Sequence, residues 1–263
     1  MILDRFRVTD KVAIVTGAGR GIGRGIALAL AEAGADVALA ARRRDTLDEV
    51  AASIRAVGRR ALVVPCDVND PAQLSALVSS TVKELGPVDV LVNNAGGSPP
   101  SPVLHTTEQA FEQAFHFNVT SAFLLSQLVV PGMRERGDGA IVNVSSALSH
   151  FVEKAFVAYG TAKAALNHMT RLLAYELAPK VRVNAIAVGS VETDALGPFL
   201  AARKDIREKM EAMTPLRRIG VPEDVAAMAL YLASPASSWV TGKVFEVDGG
   251  TVASNWPLDL SGG

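Results

Sequence analysis

Residues 11–41, KVAIVTGAGRGIGRGIALALAEAGADVALAA, change structural period twice. After Lys11 the run KVAIVT (11–16) is apolar on nearly every residue, as in strands buried on both faces of a sheet. GAGRGIG is a glycine-rich turn, and from Gly21 to about Ala33 alanine and leucine recur at helical spacing. DVALAA (36–41) is a second unbroken apolar run. Strand, glycine turn, helix and strand in that order begin a right-handed βαβ crossover.

The rhythm continues outward. An amphipathic helix is expected at 46–58, a strand at 61–66 (ALVVPC), and a helix from about Pro71 to Leu85. Strands follow at 88–93 (VDVLVN) and 139–146 (GAIVNVSS), with helical sequence from Thr107 to Arg136 between them. A long helix from about Ala158 to Ala178 leads to a strand at 181–188 (VRVNAIAV), then a helix at 222–234 and a last strand at 243–249. This alternation predicts an α/β fold: a single-domain, Rossmann-like, doubly wound parallel sheet of about seven strands with helices on both faces. Residues 1–263 form one domain, since no repeat or linker divides them. The stretch 189–220 breaks the rhythm and is expected to carry one or two short helices over one end of the sheet, with a substrate lid at about 190–215.

Composition narrows the function classes. The 263 residues are 49% hydrophobic and 20% charged, ordinary for a soluble globular protein. With 26 basic and 27 acidic side chains the formal charge is −1, which recommends neither nucleic acid nor anionic lipid as partner. The charged N-terminus lacks the apolar core of a secretory signal, and the most apolar stretches fall short of a membrane span. One cysteine, Cys66, precludes an internal disulfide and fits a cytoplasmic location. Four scattered histidines and a lone cysteine show no metal-ligand spacing, so no metal site is expected.

The glycine turn at Gly17, Gly21 and Gly23, with Ile22 between the last two, reads GxxxGxG. At the first strand-to-helix turn of such a sheet, the helix amides would meet a dinucleotide phosphate. The tip of the second strand then discriminates between nicotinamide dinucleotides. It carries no carboxylate but continues Arg42-Arg43-Arg44, and Arg20 in the turn adds a nearby charge. Guanidinium groups suit a 2′-phosphate, so NADP is favoured over NAD, with Arg42 the principal contact.

Tyr159 and Lys163 are four residues apart, on one face of a helix. A free phenol titrates near ~10, and a neighbouring ammonium would draw that value towards the range useful for proton transfer. Ser146 ends a strand, where ligand crevices of such sheets lie, and its hydroxyl would hold a substrate oxygen against the tyrosine. The arrangement points to hydride transfer between cofactor and a carbonyl or alcohol carbon, with Tyr159 as acid/base.

TGAGRGIG (16–23), CDV (66–68), NNAG (93–96), the Ser146–Tyr159–Lys163 spacing and VDGG (247–250) together resemble the short-chain dehydrogenase/reductase family, from about Lys11 to Gly250. Within it, ETDAL (192–196), TPLRRIGVPEDVA (214–226) and SPASSWVTG (234–242) are similar to the hydroxysteroid dehydrogenase and 3-oxoacyl-thioester reductase branches. The resemblance implies that Asn118 is a fourth catalytic residue, distorting its helix and holding a water for proton relay. It implies that Lys163 bonds the nicotinamide ribose, that Asp67 and Val68 flank the adenine, and that Asn94, Ala95 and Gly96 support the cofactor. Val191 and Thr193 correspond to residues presented to the nicotinamide amide. Here the chain has Val188-Gly189 where the family usually has Pro-Gly, which would shift that turn.

Substrate contacts are expected from Ser98, His150, Phe151, Phe156, Leu196 and Phe199, a lining suited to a small apolar ketone or secondary alcohol. An NAD-dependent hydroxysteroid dehydrogenase is the alternative reading. A non-redox enzyme or an NADP-binding regulatory module on the same fold ranks below both: the first would want a larger C-terminal domain, the second no complete tetrad. The resemblance also implies a homotetramer. The tail WPLDLSGG (256–263) either reaches a neighbouring pocket or frays.

Overall fold

The computed structural model describes residues 1–194 and 196–257, with Pro198 and Phe199 as backbone only. Among these residues seven strands form one sheet: β1 (Val12–Thr16), β2 (Asp36–Ala41), β3 (Ala61–Pro65), β4 (Val90–Asn93), β5 (Ala140–Ser146), β6 (Arg182–Val188) and β7 (Val244–Val247). All pairs are parallel, in the order β3-β2-β1-β4-β5-β6-β7. The expected doubly wound sheet is present, with all strand limits within two residues of those read from sequence.

Side chains alternate between two helical layers, the period-2 consequence of a pleated strand. Ala13 and Val15 of β1 join Val37 and Leu39 of β2 beneath α1 (Gly21–Glu32), α2 (Arg44–Ala56) and α9 (Pro222–Ala233). Ile14, Ala38 and Leu91 face the other way, onto α3 (Pro71–Glu84), α5 (Ser121–Arg136) and α6 (Val157–Leu177). Proline at the first position of α3 and α9 has no amide to lose there. The Asp70 carboxylate caps α3 by accepting from Ala72 N at 2.8 Å.

The helical sequence at 107–136 is divided. α4 (Glu108–Phe115) passes through a π turn, His116–Thr120, before α5 begins. Residues 108–136 together are long and apolar enough to cross a membrane, with a mean hydropathy of 1.2, so the expectation that no stretch reaches that length holds only for the pieces. In the fold this run packs against the sheet, α3 and α6. The irregular region holds α7 (Gly197–Ala202) and α8 (Lys204–Met213), the two short helices expected there. Residues 258–263, most of the tail singled out above, lie outside the described residues.

Candidate active site

β1 lies between β2 and β4, so the chain crosses from one side of the sheet to the other beside it, and a cleft opens at the strand carboxyl ends. Its volume is about 1130 Å³. The glycine turn forms one wall. At Gly23 a Cβ would fall onto the Gly17 carbonyl oxygen, and at Gly17 it would come 2.7 Å from Asn94 Nδ2, on a backbone with φ of 66°. Only glycine lets the turn close this tightly. Thr16, which the sequence reading passed over, fastens it: its buried hydroxyl oxygen accepts from Asn94 N and Ala95 N, both at 3.0 Å. Asn94 Nδ2 in turn donates to Thr16 O at 2.9 Å. The NNAG segment is therefore bonded directly to the first turn.

Gly17, Arg20, Gly21, Ile22, Gly23, Arg42, Asp67, Val68, Asn94, Ala95, Gly96 and Thr193 all line the cleft. Val191 does not; its side chain packs in the core, and its backbone bridges to Gly220. Val188 keeps the β6 register, opposite Ser146 and Val247, so the absence of proline leaves the strand intact. Arg43 and Arg44 are paired with Asp45 and Asp48, at 3.9 and 3.6 Å.

Of the four residues expected to be catalytic, Ser146, Tyr159 and Lys163 line the cleft, and Asn118 and Lys163 meet beneath Gly96. Lys163 is 3% exposed and donates to Val144 O at 2.9 Å. A Cβ on Gly96 would lie 2.7 Å from Asn118 Oδ1 and 3.0 Å from Lys163 Nζ. Asn118 sits in the π turn, and its side chain explains that turn: Nδ2 donates to Ala114 O at 2.8 Å and to Gly97 O at 2.9 Å. By capping the carbonyl one helical turn back, the amide replaces a main-chain donor and lets the helix bulge. Its Oδ1 accepts from Gly97 N at 2.9 Å, clamping the loop after NNAG. Ser146 Oγ accepts from Leu148 N at 3.2 Å and hydrogen-bonds Tyr159.

Burial pushes the Tyr159 phenol up from its ordinary value, and the Ser146 hydrogen bond opposes this less strongly. Burial lowers Lys163 to about 8. The ammonium stands 5.7 Å from the centroid of the tyrosine ring, over its face and bonded to a carbonyl. Desolvation therefore sets the direction for the phenol, and the downward pull expected from Lys163 does not emerge.

The substrate residues divide. Ser98 lines the cleft, with Pro99, Ala155 and Ala158. His150, Phe151 and Phe156 instead line a second, largely apolar cavity of about 710 Å³ behind the loop after β5. His150 Nε2 lies 3.6 Å from Glu246 Oε1 on β7. Phe156 keeps one link to the chemistry, its ring 6.3 Å from that of Tyr159. Leu196 packs into a small core with Leu200, Ile206, Met210, Ile219 and Trp256. The side chain of Phe199 lies outside the described residues. Among the described residues no cluster of histidine, cysteine and carboxylates has the makings of a metal site.

Residues 17–252 match the family model described as enoyl-(acyl carrier protein) reductase. The chain is 51% identical over 261 residues to an uncharacterized oxidoreductase of Mycobacterium tuberculosis, covering 99% of both chains. It is 42% identical over 250 residues to the 7α-hydroxysteroid dehydrogenase of Escherichia coli K12, covering 95% of this chain and 97% of the relative. A solved structure of a 7α-hydroxysteroid dehydrogenase complexed with NADH and 7-oxoglycochenodeoxycholic acid superposes with a TM-score of 0.91 at 41% identity, covering 96% of this chain and 98% of that one.

Proposed function

The chain belongs to the short-chain dehydrogenase/reductase family, and from that premise we propose that it interconverts an apolar ketone and its secondary alcohol with NADP(H) as hydride carrier. It is an oxidoreductase acting on CH–OH groups with a nicotinamide cofactor. The choice of NADP rests on one observation. Arg20 and Arg42 both line the cleft without a carboxylate partner among the described residues, whereas the next two arginines are neutralised by neighbouring aspartates. β2 ends at Ala41, so no acidic side chain waits there for a ribose hydroxyl.

The dinucleotide, when bound, supplies or accepts the hydride. The glycine turn and the first amides of α1 hold its phosphates, Arg42 and Arg20 the 2′-phosphate, and Asp67 and Val68 the adenine. Ser146 orients the substrate oxygen, and Tyr159 Oη gives that oxygen its proton in reduction or takes it in oxidation. Lys163 keeps a positive charge beneath the phenol, and Asn118 holds the Gly97 loop over it. Pro99, Ala155 and Ala158 give the substrate an apolar approach. The solvent-facing aromatic residues Phe111, Phe115, Phe123 and Tyr175 on α4, α5 and α6 support assembly, which we take to be a homotetramer in the cytoplasm.

Fluorescence titration with NADPH and NADH tests the reading. NADPH should bind at least tenfold more tightly, on the order of one charge-assisted contact pair, and Arg42→Ala should remove that preference while sparing NADH. A preference for NADH would sink the arginine assignment. It would favour an NAD-dependent hydroxysteroid dehydrogenase, the reading to which the likeness to the NADH-complexed enzyme lends weight.

A further inference from the structure

One carboxylate sits where the cleft should attract an anion from outside. Asp194 Oδ2 accepts a hydrogen bond from Gly21 N at 3.0 Å. Gly21 opens α1, so this amide is among the unpaired donors that make a helix N-terminus hospitable to negative charge. Gly21, Thr193 and Asp194 all face the cleft.

The root of the lid aims the carboxylate. The Thr193 side chain lies against Gly21, where a Cβ would come within 3.2 Å of it. Leu196 N and Gly197 N both donate to Thr193 O, at 3.0 and 2.7 Å. One residue earlier, Glu192 is paired with Arg207 of α8. Glu192 N donates to Gly220 O at 2.8 Å, so the root is held on both sides. Among the described residues no cation pairs with Asp194.

We infer that Asp194 is an internal competitor for the dinucleotide's phosphates. With the lid root seated, its carboxylate holds the Gly21 amide; a bound dinucleotide either displaces it or lies beside an uncompensated negative charge. The inference rests on reading the cleft as a dinucleotide site. Asp194 thus weakens cofactor binding, hastens cofactor release and ties the movement of the lid root to cofactor exchange. It is a positioning residue, with no part in the hydride or proton step.

Two substitutions separate this role from that of a clasp. Asp194→Asn keeps an acceptor for Gly21 N but removes the charge; Asp194→Ala removes both. Two like charges some 6 Å apart in a partly solvated cleft predict roughly three- to tenfold tighter NADPH binding for both variants. The gain should shrink at high salt, where the repulsion is screened. Stopped-flow displacement should show slower NADPH release from both. If the Asn variant binds like the wild type and the Ala variant binds more weakly, Asp194 is a clasp for Thr193 and the inference is overturned. Equal or weaker binding by both variants overturns it too. Should the wild type bind neither NADPH nor NADH, the cofactor reading itself falls and takes this inference with it.

Discussion

Lys163→Met separates what the buried ammonium does for chemistry from what it costs the fold. Lys163 is 3% exposed, and burial brings its ammonium from 10.5 to about 8. Between those values the unfolded chain binds the proton and the folded chain does not, so stability rises with pH through that window. At pH 7 both states are protonated, and the drop from 10.5 to about 8 corresponds to a cost of about 3 kcal/mol. Methionine fills similar space without the charge but leaves Val144 O without its donor, a loss of about 1–2 kcal/mol, so at pH 7 the variant should be equally or slightly more stable. The informative quantity is the change with pH. From pH 7 to 9.5 the wild type should gain about 2 kcal/mol relative to the variant as the cost of the charge is relieved. With an m-value of about 3 kcal/mol per molar, that is a relative shift in urea midpoint of about 0.7 M. Unfolding of both proteins without cofactor, at one protein concentration and several pH values, measures it. A difference between the two that stays constant across this range would refute the claim that Lys163 is held charged against its environment.

Tyr159→Phe removes the proposed proton donor but not the ring that packs against Phe156. Dinucleotide affinity should stay within about twofold while turnover falls by roughly 10²–10⁴, the usual yield of a positioned acid/base; comparable losses in both would mean the hydroxyl is structural. Gly23→Ala drives a methyl into the Gly17 carbonyl, so the turn must open. Titration should show dinucleotide binding abolished, with about 1–3 kcal/mol of stability lost to overpacking; retained affinity would remove the turn from the site. Thr16→Val leaves the Asn94 and Ala95 amides without their acceptor. It should cost about 2 kcal/mol in urea unfolding, and a neutral result would mean that water or a rearranged Asn94 replaces the hydroxyl.

The sheet was legible because its strands are apolar on successive residues, a pattern that neither surface strands nor loops share. Three of the four residues expected to be catalytic, Ser146, Tyr159 and Lys163, were legible as a spacing at a strand end and on one helix face, whereas Asn118 came from the resemblance alone. The π turn was not: a helix with one extra residue keeps much the same apolar pattern, and only the match of Asn118 to a family position hinted at it. His150, Phe151 and Phe156 illustrate a second limit. They lie in a loop and at a helix start, where no period fixes the direction of a side chain, and the fold turns them towards the second cavity. The contact of Asp194 with Gly21 spans 173 residues and involves no unusual residue type, so nothing local announces it. Even the raised phenol of Tyr159 needed the depth of its burial, which a sequence does not state.

The place of β1 in the sheet has a consequence for how the protein is made. Thr16 is joined to Asn94, 78 residues further on, and β1 needs β4 as its second neighbour. At 5–20 residues per second, synthesis of that intervening chain takes roughly 4 to 16 s. Throughout that interval VAIVT, buried on every residue in the finished fold, has one hydrogen-bonding edge open. The strand that organises the cofactor cleft thus leaves the ribosome well before its second partner and must wait for it, a stretch of nascent chain suited to protection by a chaperone.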